Sequence, residues 1–183
     1  MSEAPIYRPF IDGQLLFLRD FRSSDLTDEY QRWLSDAEVI RYIDSRFRPP
    51  SRESLEGYLR KVQSDERTLF FAMVAKDAGR LIGTVKLGPI HPVHRYADLG
   101  ILIGDKSYWR RGFATEAIAL TTRFAFDRLN LHKVTANCYA PNLGSLAAFQ
   151  KVGFVLEGRR LSHCFLDGEY VDFLHFGIVN PRH

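Results

Sequence analysis

The order of apolar and polar residues along the chain predicts strands alternating with helices. Short alternating or apolar runs predict strands at 14–19, 68–75, 81–87, 97–104 and 132–139, and a final hairpin of 154–165 with 169–178. Helical spacing and N-cap residues predict helices at 23–34, from Ser51 onward, at 112–129 and at 142–152, with a short helical turn at 36–42. Pro49 and Pro50 exclude regular helix from 44–50. Hairpins combined with a strand–helix–strand unit indicate an α/β (α+β) fold with a mixed sheet.

Composition narrows the class of protein. The 183 residues, 45% of them hydrophobic, are enough for one domain spanning residues 1–183. The net charge is only +3 and basic residues are interleaved with 22 acidic ones, which disfavours a nucleic-acid partner. No apolar run approaches about 18 residues, so we expect no membrane span. The segment Met1–Tyr7 lacks signal-peptide features, and Cys138 and Cys164 fit neither a metal site nor a disulfide framework. We therefore expect a reduced, cytoplasmic setting and no metal.

The segment from Asp98 to Ala117 carries the strongest chemical signal. It predicts an apolar strand, a polar turn and a helix opening on Arg110-Arg111-Gly112-Phe113-Ala114-Thr115. A helix N-terminus offers free N–H groups and a positive dipole end, and small residues there let a ligand approach the backbone. This arrangement predicts binding of a phosphate or pyrophosphate. The segment has neither the P-loop nor the dinucleotide fingerprint.

Two blocks resemble the GNAT superfamily of acyl-CoA N-acyltransferases. Trp109–Ala114 is similar to the family's Gln/Arg-x-x-Gly-x-Gly/Ala signature, with Trp at the first position as in the Rim-type branch of ribosomal-protein N-terminal acetyltransferases. Asn142–Ser145, followed by Phe149–Phe154, resembles the family's second block. The resemblance covers about Leu15 to Val179. It implies a single GNAT-like domain whose mixed central sheet splays between two parallel strands and is flanked by helices.

The resemblance also implies acetyl-CoA as the acyl-donor cosubstrate and a set of residues that hold it. The main chain near Leu102, Ile103 and Gly104 would pair with pantetheine, and Asn142 would bond pantetheine or orient Ser145 while also capping its helix. The residues expected at the pyrophosphate are Arg110, Arg111, Gly112, Phe113, Ala114 and Thr115.

The candidate catalytic groups are Asp98 and Ser145. Asp98 is the first candidate base, acting through a water, although a strand-end carboxylate paired with Arg95 is the structural alternative. Glu116 is a second carboxylate, for which stabilisation of the helix dipole is the simpler role. Where many family members carry a proton-donating Tyr, this chain has Phe149, so Ser145 or a water is left to protonate the thiolate.

The sequence restricts the amine acceptor only by class. An α-amino group loses its proton more easily at pH 7 than a lysine side chain, which favours a peptide N-terminus, an amino sugar or another small amine. His91 and His94 are further acceptor-side candidates. The residues expected to line the acceptor pocket are Trp33, Tyr42, Phe47, Arg48, Tyr108, His163 and Tyr170. The predicted function is acetyl-CoA-dependent N-acetyl transfer. A non-catalytic CoA-binding sensor module is the alternative, and a homodimer is compatible with the final hairpin.

Overall fold

A mixed eight-stranded sheet organises the computed structural model, which describes residues 9–182. Its strands follow the order β1-β2-β3-β4-β5-β6-β8-β7. They are β1 (Ile11–Asp12), β2 (Leu16–Asp20), β3 (Leu69–Ala75), β4 (Arg80–Leu87), β5 (Tyr96–Ile103), β6 (Lys133–Tyr139), β7 (Val155–Leu166) and β8 (Glu169–Val179). The β5–β6 pair is parallel and the other neighbouring pairs are antiparallel. The segment Met1–Tyr7 lies outside the described residues.

Among residues 9–182, four helices flank the sheet, and short polar residues start three of them. The helices are α1 (Asp28–Trp33), α2 (Arg52–Ser64), α3 (Phe113–Asp127) and α4 (Leu143–Val152). The side chains of Thr27, Ser51 and Asn142 each accept a hydrogen bond from a main-chain N–H in the first turn of the following helix. Gly112 begins α3 in the left-handed conformation, at φ 87°.

Each face of the sheet carries its own apolar core. The core under α3 and α4 includes Met73, Val85, Leu99, Ile118 and Phe149. The core under α1 and α2 includes Phe21, Tyr30, Trp33, Leu59 and Ala72. Because side chains alternate along a strand, β5 sends Leu99 and Ile101 into the first core and Leu102 into the second.

The two parallel strands separate after a short stretch of pairing. The β5–β6 partners are Tyr96 with Lys133, Ala97 with Val134 and Asp98 with Thr135. Beyond this point β5 continues along β4, and β6 continues along β8. The central sheet is therefore split between its two parallel strands, as the sequence predicted.

Most predicted elements are confirmed, and apart from β1 the differences lie between β2 and α2. The predicted helix at 23–34 divides into a 3₁₀ turn, Ser23–Asp25, and α1, because Thr27 between them is extended (φ −81°, ψ 167°) and its side chain caps the start of α1. The predicted helical turn at 36–42 is confirmed as a single turn that does not extend into a helix. The Ile40 N–H donates to the Asp36 carbonyl at 3.0 Å, and the Asp36 carboxylate accepts the Glu38 N–H at 2.9 Å.

Residues 44–50 contain a 3₁₀ turn, Asp44–Phe47, but no α-helix. The two-residue strand β1 was not predicted. No helix within residues 9–182 is long and apolar enough to cross a membrane.

Candidate active site

The N-terminus of α3 presents a group of unpaired main-chain donors. The first helical bond in this turn runs from the Glu116 N–H to the Gly112 carbonyl, at 3.0 Å. The N–H groups of Phe113, Ala114 and Thr115 therefore have no partner within the helix. Arg110, just before the helix, is also left-handed, at φ 59°. The local backbone has the form of an anion site.

The two arginines before α3 differ in their contacts. Arg111 donates to the Asp77 carboxylate at 3.2 Å and to the Ser107 carbonyl at 3.3 Å, and its guanidinium lies over the Tyr108 ring. Arg110 is exposed and forms no hydrogen bond or ion pair with another described residue. Arg110 can thus meet a phosphate without breaking a contact, whereas Arg111 is held beside the site.

Glu116 has a structural role that the sequence did not specify. Its carboxylate accepts the main-chain N–H groups of Gln14 and Leu15, the latter at 2.9 Å. These bonds fix the turn between β1 and β2 against the first turn of α3. Because both oxygens are engaged there, Glu116 is a poor candidate for the base.

Main-chain hydrogen bonds show which groups of β5 face β4. The Gly88 N–H donates to the Asp98 carbonyl at 2.8 Å, and the Gly104 N–H donates to the Ile82 carbonyl at 2.9 Å. Alternate residues of an antiparallel strand turn their N–H and C=O groups to the same side. Leu102, between these two residues in an unbroken register, also turns its main chain toward β4. Leu102 and Gly104 therefore do not offer main-chain groups to the gap, which corrects their expected role.

The remaining residues of β5 face the gap. By the same alternation, Leu99, Ile101 and Ile103 direct their main-chain groups toward the side that β6 leaves open. The Ile103 carbonyl accepts the indole N–H of Trp109 at 2.9 Å. The Leu99 N–H is used in the pairing of Asp98 with Thr135, so the groups left for a ligand are the Leu99 carbonyl, both main-chain groups of Ile101 and the Ile103 N–H.

A cavity of about 240 Å³ occupies this gap. Its walls come from β5, β6, β8, α4 and the segment before Ser45. The lining residues are Tyr42, Ile43, Asp44, Leu99, Gly100, Ile101, Asn137, Cys138, Tyr139, Asn142, Ser145, Phe149 and Phe173. Burial raises the pKa of the Cys138 thiol to about 11, so it is protonated and unreactive at neutral pH.

Asn142 and Ser145 meet at the start of α4, on the wall of this cavity. The Asn142 side-chain oxygen accepts the Ser145 N–H at 3.1 Å, which confirms the capping role and leaves the Asn142 amide nitrogen for a ligand. The buried Phe149 ring packs against Phe154 and Phe176. Phe149 thus forms an apolar wall where a phenol would have supplied a proton.

Asp98 lies where β5 and β6 part, at the edge of the cavity rather than in its lining. The Thr135 hydroxyl donates to its carboxylate. Asp98 forms no ion pair with Arg95 or any other residue in the described range. On the same sheet face, burial and the nearby charges of Arg160 and His163 lower the pKa of His175, while Asp98 opposes that shift.

The acceptor-side residues differ most from expectation. Of the seven residues predicted to line the acceptor pocket, only Tyr42 is among the described residues that line the cavity. Trp33 and Tyr108 are buried in the cores. The other four also lie outside the lining: Phe47, Arg48, His163 and Tyr170. His91 stacks on His94 and Tyr96 outside the cavity. The polar side chains that sequence reasoning missed on this wall are Asp44, Asn137 and Tyr139.

Comparison with known proteins adds independent findings. Residues 16–155 match the family described as an acetyltransferase (GNAT) domain. The probable N-acetyltransferase YjcK of Bacillus subtilis is 29% identical over 178 residues, covering 93% of this chain and 97% of that protein. A spermidine N(1)-acetyltransferase of Vibrio cholerae is 32% identical over 111 residues, covering 60% of this chain and 64% of that protein.

The fold is also that of solved acetyltransferases. The crystal structure of spermidine N-acetyltransferase from Vibrio cholerae in complex with CoA and spermine superimposes with a TM-score of 0.80 at 27% identity. It covers 91% of this chain and 96% of that chain.

Proposed function

This chain belongs to the GNAT acetyltransferase family and is an N-acetyltransferase, and we propose that it transfers the acetyl group of acetyl-CoA to a primary amine by direct attack in a ternary complex. The observation that carries this proposal is the gap between β5 and β6, where unpaired main-chain groups border a cavity. Such groups require polar partners, which the amides of a pantetheine arm provide.

The polar groups on the donor side of the gap suit the phosphates and amides of acetyl-CoA. The N–H groups of Gly112, Phe113, Ala114 and Thr115, with Arg110 and Arg111, would hold the pyrophosphate. Along the gap, the main chain of Leu99, Ile101 and Ile103 would pair with pantetheine, and the free side-chain nitrogen of Asn142 would bond it near the thioester. These residues therefore supply donors for the phosphates and both donors and acceptors for the arm.

The reaction needs one proton removed and one delivered. The neutral amine attacks the thioester carbon, the carbonyl electrons move to oxygen, and a main-chain N–H in the gap stabilises that oxyanion. The intermediate collapses as the C–S bond breaks. In our proposal, Asp98 takes the amine's proton through a water, and Ser145 or a water protonates the departing thiolate. The carboxylate of Asp98 is kept in place by the Thr135 hydroxyl.

The acceptor belongs to the class of accessible primary amines. At pH 7 an α-amino group costs about 1 kcal/mol to deprotonate and an unperturbed lysine about 4–5 kcal/mol, so one carboxylate suits a peptide N-terminus, an amino sugar or another small amine best. The similar sequence and the similar solved structure from Vibrio cholerae named above are both described as spermidine acetyltransferases. The narrower Rim-type resemblance and homodimer formation stay predictions.

Release of free thiol from acetyl-CoA tests the proposal directly. Purified protein is challenged separately with N-terminal peptides, polyamines and nucleotide-linked amino sugars, and CoA binding is measured by calorimetry on the same sample. Thiol release with one class supports the transferase and identifies its acceptor. CoA binding without release for any amine would instead favour the non-catalytic sensor module.

A matched pair of variants tests the proton donor in the same assay. Ser145→Ala removes the hydroxyl but keeps the main-chain N–H that Asn142 caps. Adding Phe149→Tyr to that variant places a phenol at the cavity wall, where Phe149 now lies. We expect the second change to restore turnover that the first removes. Equal turnover for all three proteins would assign the proton to water.

A further inference from the structure

The cavity has an unusual balance of charge. Among the described residues that line it, Asp44 is the one charged side chain. The other polar lining groups are neutral amides and hydroxyls. A carboxylate in a mostly uncharged cavity attracts a cation and disfavours an anion.

Asp44 is held in position by a buried phenol. The Tyr139 hydroxyl donates to the Asp44 carboxylate at 3.2 Å. Burial raises the pKa of Tyr139 above its ordinary value, and Arg46 opposes that shift only in part, so the phenol stays protonated and continues to donate. Asp44 also opens the 3₁₀ turn Asp44–Phe47, which fixes its main chain.

The nearby arginines are engaged elsewhere. Arg46 donates to the Phe165 carbonyl at 2.7 Å and to the Arg41 carbonyl at 2.8 Å. Arg41 in turn pairs with Asp167 at 2.8 Å, at the tip of the β7–β8 hairpin. These contacts clamp the segment 41–47 to the hairpin. Asp44 itself forms no ion pair within residues 9–182.

We propose that Asp44 determines acceptor specificity by binding a second ammonium group of the acceptor, so that the enzyme selects a diamine or longer polyamine over a monoamine. The inference rests on the proposed function and deepens it. The attacking nitrogen must be neutral, so an ammonium bound at Asp44 belongs to another nitrogen of the same molecule. Because Arg46 is committed to two main-chain carbonyls and to the Tyr139 hydroxyl, which it meets at 3.3 Å, it is not available for an anionic acceptor such as a nucleotide-linked amino sugar.

Two amines with the same four-carbon chain distinguish a role of Asp44 in acceptor specificity from a role in the chemical step. Butane-1,4-diamine and butylamine differ by the distal ammonium, and steady-state kinetics with each gives the ratio of their KM values. For the native protein we expect KM to be about tenfold lower for the diamine, as a hydrogen bond between charged groups implies. Asp44→Asn keeps an oxygen for the Tyr139 hydroxyl and should bring the ratio close to one, with a smaller change in kcat.

Glu169→Gln is the matched control. It removes the same charge from an exposed residue at the start of β8, outside the cavity lining. The diamine preference should persist in this variant. A similar loss of preference would assign the effect to the overall charge and overturn the role of Asp44.

Other outcomes also decide the proposal. A native protein that acetylates both amines with equal KM overturns the inference and leaves the proposed function standing. If Asp44→Asn lowers kcat equally for both amines, Asp44 acts in the chemical step and the specificity role is wrong. If no amine is acetylated, the proposed function fails, and calorimetric titration of the CoA-loaded protein with butane-1,4-diamine still tests Asp44. Equal affinity of the native and Asp44→Asn proteins would then overturn the inference.

Discussion

Arg110 offers the sharpest test of where the CoA phosphates bind. Its side chain has no partner among residues 9–182, so changing it disrupts no contact of the described fold. Arg110→Gln keeps a long polar side chain, and Arg110→Glu reverses the charge. Both are ordinary L-residues at φ 59°, so the backbone strain of the native position is nearly preserved.

The expected loss follows from simple electrostatics. Two unit charges about 4 Å apart interact by about 1 kcal/mol in water and about 4 kcal/mol near a protein surface. Since Arg110 is exposed, we take a value near the lower limit, about 1–1.5 kcal/mol. Arg110→Gln should then weaken CoA binding about five- to tenfold, and the two-charge change of Arg110→Glu about 30- to 150-fold.

Substitutions of Arg111 provide an internal comparison for those of Arg110. Its exposed ion pair with Asp77 is worth at most about 1 kcal/mol, but bringing Arg111 to a phosphate would sacrifice that contact. Arg111→Gln should therefore cost less affinity than Arg110→Gln. Arg111→Glu should still weaken CoA binding, because it places a negative charge beside the phosphate site.

Calorimetry with CoA and with pantetheine, which has no phosphate, measures these effects. The losses should appear for CoA alone and should shrink when salt is raised from 50 to 500 mM, because exposed charges are then screened. Equal losses for pantetheine, or an unchanged CoA affinity of Arg110→Glu at low salt, would refute the placement of the phosphates at the start of α3.

Four further changes test the site and the fold around it. Asp98→Asn should lower kcat/KM about 100-fold and flatten its pH profile, because the proposed base is lost while an oxygen remains for its neighbour; pH-dependent kinetics checks this. Gly104→Ala should lower the free energy of unfolding by about 1–3 kcal/mol in thermal melts, because a Cβ there would lie 2.1 Å from the Trp33 ring. A Cβ at Gly100 would meet no heavy atom within 4 Å, so the Gly100→Ala variant should have the melting temperature of the native protein. Because Gly100 lines the cavity, the added methyl group should raise KM for the amine. Ser145→Ala should lower kcat by up to about tenfold, as measured by thiol release, and should leave the CoA affinity measured by calorimetry unchanged.

Elements with local signals could be predicted from the sequence. Gly112 marks the start of α3 because its left-handed conformation suits glycine, and Asn142 marks the start of α4 because its side chain caps the first turn. Gly168 likewise marks the turn of the final hairpin, at φ 94°. In each case the residue and its immediate neighbours determine the local backbone conformation.

The orientation of main-chain groups in the gap could not be predicted in this way. Whether Leu102 or Ile101 turns its N–H toward the cavity depends on the register of β5 against β4, and shifting that register by one residue would exchange them. Similarly, Asp44 reaches the cavity because Arg46 bonds the Phe165 carbonyl, 119 positions away. Such pairs between distant segments leave no local pattern.

In the proposed complex, the two sides of the gap would therefore recognise their ligands by different means. On the donor side, main-chain groups of β5 and the first turn of α3 would provide most of the contacts, so many side chains could change without loss of CoA binding. On the acceptor side, side chains from segment 42–44 and β6 line the cavity and would provide the contacts. A substitution at Asp44 can thus alter the acceptor while leaving the donor site intact. Loss of CoA affinity in Asp44→Asn would contradict this division.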